Sequence, residues 1–145
     1  MVGCAAQGER ARLQRLSTET TASITTCTEA VNDNPKYLSL KSKLYLGSAD
    51  TIPPELLSVR AKPEAQDIPL IQDVQRDLLA CRHIMLEGAA RMHPRVLAVV
   101  TEGYESTDRL WGDLIAGRIT FGQFNEGRRE ITAQSRQRLN SRPVN

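Results

Sequence analysis

The sequence predicts an all-α protein, an up-and-down helical bundle of about four main helices with one short helix and a proline-rich connection. Apolar residues recur every three or four positions along four segments. Capping residues, prolines and glycines separate these segments. The chain has 145 residues, 40% hydrophobic and 25% charged, which is typical of a globular protein. We therefore expect residues 1–145 to form a single helical domain, with a flexible tether at 1–7 and a flexible tail at 140–145.

The first half of the chain predicts one long helix and one short helix. The long helix covers residues 7–32, and its threonine-rich part lowers the intrinsic helix propensity, so it needs packing to be stable. Asn34 is a candidate cap, with Pro35 as the first residue of a short helix that ends at Gly47. The apolar face of the long helix carries Leu13, Leu16, Thr20, Ile24, Cys27 and Val31, and that of the short helix Tyr37, Leu40 and Leu44.

Residues 48–66 contain three prolines and predict a surface connection, with one helical turn around Glu55 to Val59. Asp67 then caps a long helix, which His93 and Pro94 end because the residue before a proline disfavours the α conformation. This helix turns an apolar face inward, made of Leu70, Ile71, Val74, Leu78, Cys81, Met85 and Met92.

Two further helices follow the break at Pro94. Gly117 ends the first of them. Thr120 and Gln123 match a capping box, which predicts that the last helix starts near Phe121 and runs to about Leu139. The first of these helices has the clearest stripe in the chain, Leu97, Val100, Tyr104, Thr107, Trp111 and Leu114, and the last offers Phe124, Ile131 and Leu139 to the core.

Composition and motifs argue against several classes of function. The net charge of +2, from 19 basic and 17 acidic residues, gives no field that requires nucleic acid as a partner. Six aromatic residues are too few for base-stacking or sugar-stacking platforms. We find no phosphate loop, zinc spacing or serine elbow, and we predict no cofactor, no catalytic residue and no enzyme activity.

The two histidines do not predict a metal site. On a straight helix, His83 and His93 would lie about 80° apart around the axis and about 15 Å apart along it. We therefore predict no metal ligand. A carboxylate site on the acidic helices is the alternative that would make the protein an enzyme, and it requires an Asp or Glu with a strongly perturbed pKa in a cleft.

Four arginines of the last helix form a candidate interaction surface, because guanidinium groups bind phosphate, anionic head groups and acidic proteins. Acidic side chains are interleaved among them, and arginines near a helix C-terminus also complement the helix dipole. The four residues are Arg128, Arg129, Arg136 and Arg138.

The start of the chain, Met1-Val2-Gly3-Cys4, resembles the processing site of bacterial envelope lipoproteins. In that family an aliphatic and a small residue precede an invariant Cys, which becomes the lipid-carrying first residue once the signal peptide is removed. The resemblance implies lipid attachment at Cys4 and a signal peptide that extends upstream of Val2 and is removed in the mature protein. With Ala5 after the Cys, it also implies the periplasmic side of the outer membrane.

Cys27 and Cys81 fall on the apolar faces of two predicted helices, where they could meet. A disulfide between them would persist only in an oxidising compartment, and it would leave Cys4 as the unpaired cysteine. The alternative is that each is a small buried hydrophobic residue.

The sequence therefore predicts a non-catalytic exported lipoprotein that binds another protein, as an accessory, scaffold or inhibitor at the bacterial cell envelope. Its oligomeric state stays open. The alternative is a periplasmic bundle that binds or senses a small ligand in an apolar cavity, lined by Met85, Met92, Tyr104 and Trp111.

Overall fold

The computed structural model describes residues 3–141, and within that range it is helical with no strands. The predicted all-α bundle is confirmed. No helix in this range combines the length and apolar character needed to cross a membrane. The helices are α1 (Gly3–Asn32), α2 (Pro54–Leu57), α3 (Asp67–Met92), α4 (Pro94–Ile115) and α5 (Phe121–Ser141), with 3₁₀ helices at Pro35–Leu40 and Ala49–Thr51.

Each long helix runs antiparallel to the one before it. Cys27 of α1 meets Cys81 of α3, while Thr20, seven residues earlier, meets Gly88, seven residues later. Helix α3 packs on α4, and α4 packs on α5. The four long helices therefore run up, down, up and down, as predicted from the short corners that join the last three.

The corners form through the capping residues that the sequence indicated. His93 ends α3 in an extended conformation, and its Nδ1 accepts a hydrogen bond from the Arg95 amide at 3.0 Å. Gly117 adopts a φ of 71° after α4, a conformation that favours glycine. Thr120 Oγ1 accepts from the Gln123 amide at 3.0 Å, and Gln123 Oε1 accepts from the Thr120 amide at 2.8 Å. The predicted capping box is confirmed.

The short helix and the start of α3 differ from the prediction. The short helix is a 3₁₀ helix that ends at Leu40 rather than at Gly47, although Asn34 caps it by accepting from the Lys36 amide at 3.0 Å. Asp67 was predicted to cap α3, but it is the first residue of this helix, and its carboxylate accepts from the Glu64 amide upstream at 2.9 Å. It therefore fixes the preceding turn instead of capping the helix.

The main core lies at one end of the bundle, where α1 and α4 end and α3 and α5 begin. The ring centroids of Trp111 and Phe124 lie 4.5 Å apart there. The predicted stripe of α4 is buried at this end, but Leu97, Val100 and Tyr104 at the other end are only half-buried. The buried residues of this core are Val31, Tyr37, Leu40, Leu44, Leu46, Ile71, Val74, Cys81, Trp111, Leu114, Phe121 and Phe124.

The connection between α1 and α3 covers residues 33–66. Its second part, 48–66, is more buried than predicted. Ala49, Ile52 and Leu56 form a second, smaller core, and α2 packs on α5. The prediction of a surface connection was wrong in this part because α5 supplies polar groups that satisfy the backbone of the connection. Buried loop backbone is otherwise costly.

The first turn of α5 fits closely against this connection. The amides of Phe121 and Gly122 each donate to a connection carbonyl at 2.9 Å, that of Ala61 and that of Val59. A Cβ on Gly122 would lie 2.6 Å from the carbonyl oxygens of both Leu57 and Val59. This approach therefore requires a glycine.

We expect Gly122→Ala to lower the free energy of unfolding by about 2 kcal/mol, because backbone atoms must move to admit the methyl group. The matched control is Gly112→Ala in α4, where a Cβ would meet nothing within 4 Å. It should raise the free energy of unfolding by up to about 1 kcal/mol through helix propensity. Urea denaturation followed by circular dichroism measures both changes, and equal effects would contradict the close approach.

Candidate functional site

Helix α1 is joined to α3 by the predicted disulfide. Cys27 and Cys81 are bonded, with their Cα atoms 5.6 Å apart and 54 positions apart in the chain. The prediction of this pair is confirmed. On the chain-entropy model, a closed loop of this size stabilises the fold by about 4 kcal/mol.

Side-chain packing and hydrogen bonds also hold α1 against α3. Among the four long helices, α1 packs on α3, and its buried residues are Leu16, Thr20 and Val31. Thr20 fits against Gly88, where a Cβ would come within 2.4 Å of its hydroxyl oxygen. Arg12 donates to the carbonyls of Arg91 and Met92 at 2.9 and 3.1 Å, and so satisfies acceptors that the end of α3 leaves free.

The predicted lipid-carrying residue lies on an exposed extension of α1. Cys4 is an exposed free cysteine, and residues 3–11 are all exposed. We predicted a flexible tether at 1–7, but residues 3–7 are helical because α1 already begins at Gly3. At 1.5 Å per residue, Cys4 stands about 18 Å along the helix from Leu16.

The predicted tether and tail lie partly outside the described residues. Met1 and Val2 lie outside the described residues, and so do residues 142–145 of the predicted tail. Asn140 and Ser141, the rest of that tail, belong to α5.

The four arginines predicted as an interaction surface all make contacts within the chain. Arg129 pairs with Glu126 at 2.8 Å, and Arg138 pairs with Glu102. Arg136 makes a two-pronged contact with Asp50 at 3.0 and 2.7 Å. The Arg136 guanidinium holds the pKa of the Asp50 carboxyl below its usual range.

Arg128 has the most buried guanidinium of the four. It donates to the carbonyl of Tyr45, and to that of Gly47 at 3.1 Å. Burial lowers its pKa to about 10, so the group stays charged at neutral pH. Because both acceptors are backbone atoms more than eighty positions away, no side-chain pattern in the sequence could have revealed this role.

Asn125 is a further residue that the sequence did not single out. It is fully buried, and its Nδ2 donates to the carbonyls of Lys43 and Leu56 at 3.0 and 2.9 Å. Its Oδ1 accepts from the Tyr45 amide at 3.2 Å. Asn125 therefore holds two segments of the connection at a fixed separation.

The carboxylates whose pKa is shifted lie in ion pairs. The pKa of Asp73 is lowered chiefly by its hydrogen bond to Lys36, and that of Glu9 by its hydrogen bond to Arg12. Each of these shifts favours the ionised carboxylate, whereas a general acid needs a raised pKa.

The histidines occupy separate positions. His83 is exposed and lies 3.0 Å from Glu87, whereas His93 caps α4. Within residues 3–141, no cluster of three or more His, Cys, Asp or Glu side chains could hold a metal ion.

Two of the residues proposed to line an apolar cavity, Trp111 and Tyr104, pack against other groups. Trp111 is buried against Phe124, and Tyr104 lies beneath the Arg82 guanidinium, 4.6 Å from the ring centroid. Two clefts are found elsewhere. One of about 530 Å³ lies between α1 and α3, and one of about 420 Å³ lies between the segments 41–45 and 53–56.

No protein-family model, curated protein sequence or solved structure matches this chain.

We expect Arg128→Ala to lower the free energy of unfolding by about 2 kcal/mol, because a charged donor to two carbonyls is lost. Arg129→Ala, its neighbour in sequence, should change this energy by less than about 0.5 kcal/mol, since it removes one exposed ion pair. Chemical denaturation of both variants checks the difference. A larger loss for Arg129→Ala than for Arg128→Ala would refute the assignment.

Proposed function

We propose that this chain is an exported, lipid-anchored helical bundle that acts without catalysis, by binding a protein partner at the bacterial cell envelope. The observation that carries the proposal is the disulfide between Cys27 and Cys81. Such bonds form and persist in oxidising compartments, including the bacterial periplasm, and are rare in the cytosol.

The position of Cys4 supports the lipid anchor. Its side chain is exposed on the part of α1 that precedes the first contact with α3. A lipid attached there would meet no packed side chain of the bundle. The extension would place Arg12, which contacts the end of α3, about 12 Å along the helix from the site of attachment.

The resemblance to envelope lipoproteins supplies the rest of the anchor. A Cys that carries several acyl chains gives firm membrane attachment, whereas a single chain gives only marginal binding. The proposed location is the outer membrane, because the resemblance implies this membrane when Ala5 follows the Cys.

A binding role is proposed instead of chemistry because carboxylates of the acidic helix α4 have structural partners. Glu102 pairs with Arg138 of α5, and Asp108 pairs with Arg82 of α3. The proposed partner is a protein, for which the bundle serves as an accessory, scaffold or inhibitor subunit.

The anchor is tested by expressing the full-length precursor in a bacterium and measuring the intact mass of the product. We expect a chain that starts at Cys4 and carries a lipid adduct, recovered with the membrane fraction. Cys4→Ser should abolish both the cleavage and the adduct, while Gln7→Ala, an exposed change on the same helix, should preserve them. An unmodified, uncleaved wild-type chain would rule out the anchor.

A further inference from the structure

The cleft between the segments 41–45 and 53–56 has the features of a small-ligand site. Its volume of about 420 Å³ lies within the range of known ligand pockets. Leu44 and Leu56 line it and are almost fully buried, with 2% and 8% of their surface exposed. Pro53 and Tyr45 extend this apolar lining.

Helix α5 holds the two walls of the cleft, the segments 41–45 and 53–56, in place. Asn125 donates to the carbonyl of Lys43 on one wall and to that of Leu56 on the other. Arg128 holds the first wall a second time, through the carbonyl of Tyr45. Because the walls are already fixed, a ligand would not have to bear the cost of ordering them.

Four polar side chains of the cleft have no partner within the described chain. Lys41 and Ser42 belong to one wall and Glu55 to the other, and Asn32 also lines the cleft. None of the four side chains makes a hydrogen bond or ion pair with any residue from 3 to 141. The cleft therefore offers the Lys41 ammonium and the Glu55 carboxylate, which are not paired with each other, beside an apolar lining.

We propose that this cleft binds a small zwitterion with an apolar body, such as an apolar amino acid or a dipeptide. The ligand carboxylate pairs with the Lys41 ammonium and the ligand ammonium pairs with the Glu55 carboxylate, both as charge-assisted hydrogen bonds. The apolar body lies on Leu44 and Leu56. This inference does not depend on export or on the lipid anchor, and it places ligand binding away from the bundle interior.

The cleft between α1 and α3 is a weaker candidate despite its larger volume. Its floor contains Thr20 packed on Gly88, so its shape follows from a close helix crossing. Glu87 on its rim already lies 3.0 Å from His83.

The test is an NMR titration of the folded protein, in which backbone amide shifts are followed as L-leucine or leucyl-leucine is added. We expect saturable shifts at residues 41–45 and 53–56. Lys41→Ala and Glu55→Ala should each weaken binding about three- to tenfold, as expected for charged contacts at a partly exposed rim. Lys62→Ala and Glu29→Ala, exposed changes of the same kind outside the cleft, should leave the affinity unchanged.

Two leucine analogues assign each charge to its partner. N-acetyl-leucine lacks the ammonium group, so it should bind the wild type more weakly than leucine does. The two ligands should bind Glu55→Ala with equal affinity, because this variant lacks the carboxylate that the ammonium would contact. Leucine methyl ester lacks the carboxylate and should show the same relation with Lys41→Ala. The proposal is overturned by an absence of saturable shifts up to about 10 mM ligand, by shifts confined to other regions, or by equal affinities in the wild type and both cleft variants.

Discussion

The bond between Cys27 and Cys81 is the constraint on which the placement of α1 depends. This helix has 30 residues, but only Leu16, Thr20 and Val31 are counted among its buried residues. A contribution of about 4 kcal/mol from the disulfide is a large fraction of the stability of a typical domain. The bond joins α1 to α3 beside the main core, and it leaves the amino-terminal turns of α1 free to extend from the bundle. The functional proposal rests on the same bond, because its chemistry restricts the compartments in which the fold persists.

Helix α5 holds the connection between α1 and α3 in place. Its first three turns direct an asparagine, an arginine and two backbone amides at the connection between α1 and α3. These groups satisfy the backbone of a segment that has little regular structure of its own, and so allow part of it to be buried. The same contacts fix the walls of the cleft beside Lys41 and Glu55. Stability and the proposed ligand site therefore share one set of hydrogen bonds.

The sequence predicted those parts of the fold that have local signals. Thr120 with Gln123, Gly117, and His93 with Pro94 each carry a capping or breaking signature, and the corners form at these residues. The cysteine pair could be predicted because helical periodicity placed both thiols on apolar faces. The roles of Asn125 and Arg128 could not, since their partners are main-chain carbonyls 69 to 83 positions away, which have no side-chain signature. For the same reason the α5 arginines suggested an open surface, and the cleft had no counterpart in the sequence analysis.

The central claim is that this fold exists with its disulfide formed in the cell that produces it. The most direct measurement is thiol trapping in the native host, where cells are quenched with acid, free thiols are alkylated and the intact mass is recorded before and after reduction. We predict that Cys27 and Cys81 are alkylated only after reduction. Complete alkylation of both residues without reductant would contradict the account, and it would remove the physical basis for export.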